Sequence, residues 1–127
     1  MTDFVKDFIK IFLLFLFFDT IFIQAISKKY WLKNVEKVTT KPMKLNLFYA
    51  FLSYFCIAVG IYVIYKQTPS DKYWLYGILL GIAIYGTYNF TNLGIFSEYD
   101  LNVGLLDLVL GTTSITLTLY ATHYLSK

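Results

Sequence analysis

The sequence predicts an all-α protein, a four-span antiparallel transmembrane helix bundle with a short Lys-rich interfacial segment after the first span. Three observations carry that prediction. The 127 residues are 57% hydrophobic and 20% aromatic, with mean hydropathy +0.58 and only 15% charged residues, against about 25% charged in an ordinary soluble domain. The apolar residues gather into four runs, near 8–26, 45–65, 73–96 and 101–124, each close to the ~20 residues needed to cross ~30 Å of hydrocarbon. Short polar segments separate the runs, and a short connection between two spans has to reverse the chain. Residues 1–127 are therefore expected to form a single integral membrane domain.

The first run, Phe8 to Ile26, follows Lys6 and Lys10 and ends near Ala25-Ile-Ser27, an outline shared with signal peptides. Asp19 interrupts its apolar middle, which favours a retained span. From Lys28 to Lys44 the composition changes: Lys28, Lys29, Lys33, Lys37, Lys41 and Lys44 crowd one segment, with Trp31, Val35 and Val38 at helical spacing. That pattern predicts a short amphipathic helix in the interface, ended by Pro42, or else a solvated linker. Tyr30 and Trp31, like Tyr73 and Trp74, stand where an aromatic belt belongs. In the second run Ala50, Ser53 and Gly60 give a small-residue face. Gln67 to Asp71 is a turn with Asp71 as a cap for the third span. There Gly77 and Gly81 are placed for helix packing on a face continued by Tyr85 or Tyr88 and then Asn92. Ser97 to Asp100 turns the chain again. The fourth run draws a stripe of Gly104, Asp107, Gly111, Ser114 and Thr118 down one side, with Gly104 and Gly111 again suited to close approach.

Net charge is +3 and all eleven basic residues are Lys; without Arg the chain lacks the bidentate fork used in nucleic-acid readout, so no nucleic-acid partner is expected. Cys56 is the one cysteine, which rules out an intramolecular disulfide and a thiolate metal site. His123 has no ligand partners at metal spacing, and Asn89-Phe-Thr91 is a glycosylation sequon inside a span, out of reach of the modifying enzyme. No phosphate-binding loop, nucleophile set or zinc motif is present, so no metal or cofactor is expected and enzymatic activity is disfavoured.

The polar residues inside the spans are the informative ones. If the Lys-rich loop marks side B of the membrane, the Ser97 turn lies on the same side two crossings later, and both termini lie opposite. Counting at 1.5 Å per residue puts Asp19, Tyr88, Asn92 and Asp107 all about 7 to 13 Å below side B. Coincident depth predicts one cluster of Asp19, Tyr88, Asn89 or Asn92, and Asp107, with Thr91 nearby. An acid in lipid costs about 2.5 to 3.5 kcal/mol on insertion scales, and two carboxylates in one low-dielectric site cannot both ionise cheaply.

The same residues carry a resemblance. Asp19-Thr-Ile-Phe22-Ile23, Gly81-Ile-Ala-Ile-Tyr85-Gly86-Thr-Tyr88-Asn89-Phe-Thr91-Asn92 and Asp107-Leu-Val-Leu110-Gly111 resemble the early, central and late motifs of the bacterial and viral membrane proteins grouped as domain-of-unknown-function family 2177. Asn89 stands where that pattern has Asp, and Phe22 and Leu110 stand where it has Trp. The resemblance implies a four-helix membrane protein, of cell or virion membranes, and no established activity.

Two uses fit the cluster. In one, Asp19, Tyr88, Asn89, Thr91, Asn92 and Asp107 are candidates for a site that binds a proton, a cation or a small polar ligand, for transport or sensing. In the other, the cluster only locks the helices of a structural or assembly protein, whose partners would be the lipid bilayer and a second copy or another membrane component. A membrane enzyme is the weakest alternative. The Lys-rich loop favours side B as cytoplasmic, with Lys6, Lys10, Lys66 and Lys72 opposing.

Overall fold

A computed structural model describes residues 2–127. Its helices are α1 (Thr2–Phe22), α2 (Lys28–Thr39), α3 (Leu47–Gln67), α4 (Tyr73–Gly81), α5 (Thr87–Ile95) and α6 (Leu101–Leu125). One π-turn, Ile23–Ser27, joins α1 to α2, and another, Ile82–Gly86, joins α4 to α5. No strand occurs among the described residues. Four continuous helical rods, 3–39, 47–67, 70–95 and 101–125, are long and apolar enough to cross a membrane.

The rods alternate in direction. Lys10 donates to Ser126 at 2.8 Å and Lys66 pairs with Asp7, so the start of the first rod, the end of the last and the 67–72 turn share one face. At the other face, Asn34 of α2 accepts from the backbone N–H of Asp100 at 2.8 Å. The expected antiparallel bundle is thus present, with side B defined by α2 and the Ser97 turn.

The Lys-rich segment differs in detail from its expectation. It is helical, but no break separates it from the first span: the rod runs from Asp3 to Thr39, about 55 Å at 1.5 Å per residue. Nothing between Ile26 and Lys28 can stop a helix, since neither Gly nor Pro occurs there. The stop comes at Thr40, in the left-handed region at φ 60°, with the Thr39 hydroxyl donating back to the Val35 carbonyl at 2.8 Å. Pro42 follows two residues later, outside the helix, as is common beyond such a cap. The lysines Lys28, Lys29, Lys33 and Lys37 are exposed, while Trp31, Val35 and Val38 are half-buried and Asn34 is buried, so the amphipathic reading of this segment holds.

α6 is the hub. It touches α1, α3, α4 and α5, and its Ile115 and Leu119 are fully buried against Ile11 and Phe15 of α1, Ala58 and Ile61 of α3, and Tyr73 and Tyr85. In lipid no hydrophobic force draws apolar faces together, so close van der Waals fit matters more. The glycines supply it: a Cβ on Gly77 would collide with Thr116, one on Gly81 with Thr112, and one on Gly111 with the Tyr85 ring. At Gly104 a Cβ would only press against Asn89 and Tyr99, at 3.4 Å. The hydroxyls of Thr113, Ser114, Thr116, Thr118 and Thr122 each donate to the carbonyl four residues back, at 2.7 to 3.0 Å. Most of the polar stripe on α6 is thereby satisfied within its own helix and acts as small packing surface.

Enlarging Gly81 tests this packing. Gly81→Val is expected to lower the thermal stability of the detergent-solubilised protein by about 1 to 3 kcal/mol, whereas Gly94→Ala, where an added Cβ meets no atom within 4 Å, leaves it unchanged or slightly raised.

Candidate functional site

The π-turn at Ile82–Gly86 aims Asn89 at the polar residues of the other helices. A π-turn widens the helix to take an extra residue, and such turns recur where a helix must re-aim side chains. In an uninterrupted α-helix, residues four apart drift by about 40° per step. The wide turn at Ile82–Gly86 compensates, and Gly77, Gly81, Tyr85 and Asn89, at successive four-residue steps, are all buried. That settles which of the alternative residues faces inward: it is Tyr85 followed by Asn89, rather than Tyr88 followed by Asn92.

Asn89, 2% exposed, is the junction of the site. Its Nδ2 donates to the Asp107 carboxylate at 2.8 Å and to the Tyr85 carbonyl at 2.8 Å, while its Oδ1 accepts from the Tyr99 hydroxyl. Asp19, 9% exposed, lies across from this group on α1 and accepts from the Tyr54 hydroxyl of α3 at 2.6 Å. Each carboxylate therefore has one oxygen held by a donor from a neighbouring helix. Among the described residues neither accepts a second side-chain hydrogen bond, although an ionised carboxylate has room for about four.

Asp19 and Asp107 line one cavity of about 730 Å³. It is walled by Ser27 at the end of the first π-turn, by Trp31 of α2, by Tyr85, which packs on Gly111, and by Tyr54 and Tyr88. Trp31 lies 6.1 Å from the Tyr88 ring and 6.2 Å from the Tyr99 ring, so an aromatic cluster closes the side-B end. Both π-turns contribute to the wall, through Ile23 and Ser27 in one and Ile84 and Tyr85 in the other. Leu45, Tyr49, Leu52 and Cys56 of the α3 flank also line it and are exposed, so the cavity opens along the side of α3.

Of the candidates read from the sequence, the structure brings together Asp19, Tyr88, Asn89 and Asp107. Tyr88, 49% exposed, stands at the rim. Asn92 is half-buried beside the Tyr88 and Tyr99 hydroxyls, outside the cavity wall. Thr91 is exposed on the outer face of α5, away from the cavity, because it sits two residues past Asn89, about 200° around the helix. Spacing gave no sign of Tyr54, whose run is apolar on all sides, nor of Tyr99, which lies in a turn; Trp31 was assigned to the interfacial belt. Asn34 is buried, and its Nδ2 finds no partner among the described residues.

An antiparallel set of four apolar rods with acids held at one depth defines a polytopic integral membrane protein. The chain belongs to the family described as "Predicted membrane protein (DUF2177)", whose model matches residues 4–124. No curated protein and no solved structure matched it. At the positions that depart from the family's pattern, Asn89 offers Asp107 an amide donor where an Asp would offer a further acceptor. Phe22 and Leu110 are half-buried and lie outside the cavity wall.

Tyr99, in the turn outside the spans, has its phenol pushed up to about 12, chiefly by burial, with Tyr88 and Asp107 adding to the shift. The folded chain therefore holds this proton more tightly than the unfolded one, and the stability it contributes is present below the ordinary phenol value of about 10 and is lost as pH rises towards 12. In an ultraviolet titration the Tyr99 phenolate is expected to appear late, near pH 12, and Tyr99→Phe should remove that late component and flatten the alkaline loss of stability.

Proposed function

We propose that this protein binds a proton or a cation at the Asp19–Asp107 pair, within the half of the membrane nearer side B, in the service of transport or sensing. The observation that carries the reading is that two carboxylates from different helices line one cavity with no basic residue in its wall. Like charges in a low dielectric repel, and a positive charge between them relieves both the repulsion and the desolvation of each acid. Tyr54 and Asn89 bond the pair, and Ser27, Tyr49, Ser53, Tyr85 and Tyr88 are the other hydroxyl groups of the cavity wall. All are neutral, and Tyr54 and Asn89 orient the carboxylates without cancelling their charge.

The helix-locking alternative draws support from the same bonds, since Tyr54 to Asp19 ties α3 to α1 and Asn89 to Asp107 ties α5 to α6. Such ties are worth about 0.6 to 2 kcal/mol each in membranes.

Infrared spectroscopy in nanodiscs separates the two readings. Binding predicts a carboxyl signal that disappears in Asp19→Asn or Asp107→Asn and responds to pH and to an added cation. Carboxyl signals indifferent to both, with the Asn variants altering only thermal stability, would leave the locking role.

A further inference from the structure

Resting on the binding reading above, we infer that the cavity takes a lipophilic organic cation, an onium or amine group carried on an apolar body, which enters from the lipid along the open flank of α3.

The charge, shape and composition of the wall point to this class. Its charged groups are Asp19 and Asp107 alone; none of the eleven lysines reaches it, so an anion would meet only repulsion and a neutral solute would leave the acids uncompensated. One oxygen of each carboxylate is engaged by Tyr54 or Asn89, which leaves the other to face a cation. Asp19 is nine-tenths buried, so its unengaged oxygen has only the cavity from which to draw a partner.

Apart from the small side chains of Ser27, Ser53 and Cys56, the remainder of the wall is aromatic and aliphatic: Trp31, Tyr49, Tyr54, Tyr85 and Tyr88 stand around the acids. Aromatic faces attract weakly hydrated cations, most of all in a desolvated site. A small metal ion is a poor match, because Ca²⁺ or Mg²⁺ needs six or more oxygen ligands. No group of three or more His, Cys, Asp or Glu able to hold a metal occurs among the described residues. The volume of about 730 Å³ lies within the ~300 to 1,000 Å³ range of pockets that enclose drug-sized molecules.

The entry route agrees with an apolar body. Leu45, Tyr49, Leu52 and Cys56 border the cavity and are exposed on the flank of α3, between helices whose outward side chains are Phe51, Phe55, Phe90 and Ile95. A ligand dissolved in the bilayer reaches the acids through that flank; a strongly hydrated one would first have to shed its water in hydrocarbon.

The test is equilibrium binding of radiolabelled tetraphenylphosphonium to the full chain in nanodiscs, set against empty nanodiscs and against tetraphenylborate, which has the same shape and the opposite charge. The expected result is saturable binding of about one tetraphenylphosphonium per chain and none of tetraphenylborate. Asp19→Asn and Asp107→Asn should each weaken binding by at least about tenfold. Tyr88→Leu, a change at the half-exposed rim, keeps the experiment decisive should an acid variant fail to fold; it should weaken binding several-fold through loss of one aromatic wall. The inference is overturned by the absence of saturable binding, by equal uptake of both ions, or by folded variants that bind like the parent. If tetraphenylphosphonium does not bind while the infrared carboxyl signal still responds to protons or to an inorganic cation, the ligand class is wrong and the acid-pair reading stands. If both fail, the acid-pair reading falls as well.

Discussion

Two carboxylates held in the hydrocarbon half of a membrane impose the constraint around which this protein is built. An acid there needs donors from the protein itself. Tyr54 comes from α3 to meet Asp19, and Asn89 comes from α5 to meet Asp107. Asn89 is in turn held by Tyr99 from the side-B turn and by the Tyr85 carbonyl of its own helix. Removing Tyr54 or Asn89 would leave a carboxylate without its donor, so the first rod is tied to the second through Asp19 and the third to the fourth through Asp107.

The packing of α6 makes that arrangement possible. Gly111 lets the Tyr85 ring lie flat against the helix that carries Asp107, and Gly77 and Gly81 bring α4 onto Thr116 and Thr112. Ser114, Thr118 and Thr122 below Asp107 return their hydrogen bonds to their own backbone, so these positions can be approached closely while staying satisfied; Thr112, under Gly81, is the exception, a buried hydroxyl without a partner among the described residues. The polar surface thus divides by position: near the termini face it packs, and near side B it borders an opening. Asn34 joins the second region to the Lys-bearing α2 through Asp100, which couples the interfacial helix to the end of the rod holding Asp107.

Much of this was legible in the residues. Apolar run length predicts the number of rods, alternation of short turns predicts their directions, and counting 1.5 Å per residue puts Asp19, Tyr88, Asn92 and Asp107 at one depth, with Asn89 or Asn92 in the cluster. What spacing could not supply is the azimuth. The π-turn at Ile82–Gly86 contains no Pro, and Gly81 before it and Gly86 at its end read as small packing residues of a span, yet it decides that Asn89 and not Asn92 faces Asp107. The π-turn at Ile23–Ser27 likewise carries the first rod on into α2 and sets Trp31 over the cavity, where composition alone pointed to a separate interfacial helix. Tyr54 was hidden for a different reason: in an apolar span a phenol reads as bulk until a partner from another helix is known.

The central claim is that Asp19 and Asp107, although 88 residues apart in the chain, act on each other across one cavity. A double-mutant cycle on unfolding in mixed micelles, comparing Asp19→Asn, Asp107→Asn and the double variant, measures that interaction directly. The account predicts that the two substitutions are non-additive by at least about 0.5 kcal/mol, as residues sharing a site are. Effects that sum within about 0.3 kcal/mol, as distant independent positions do, would contradict it.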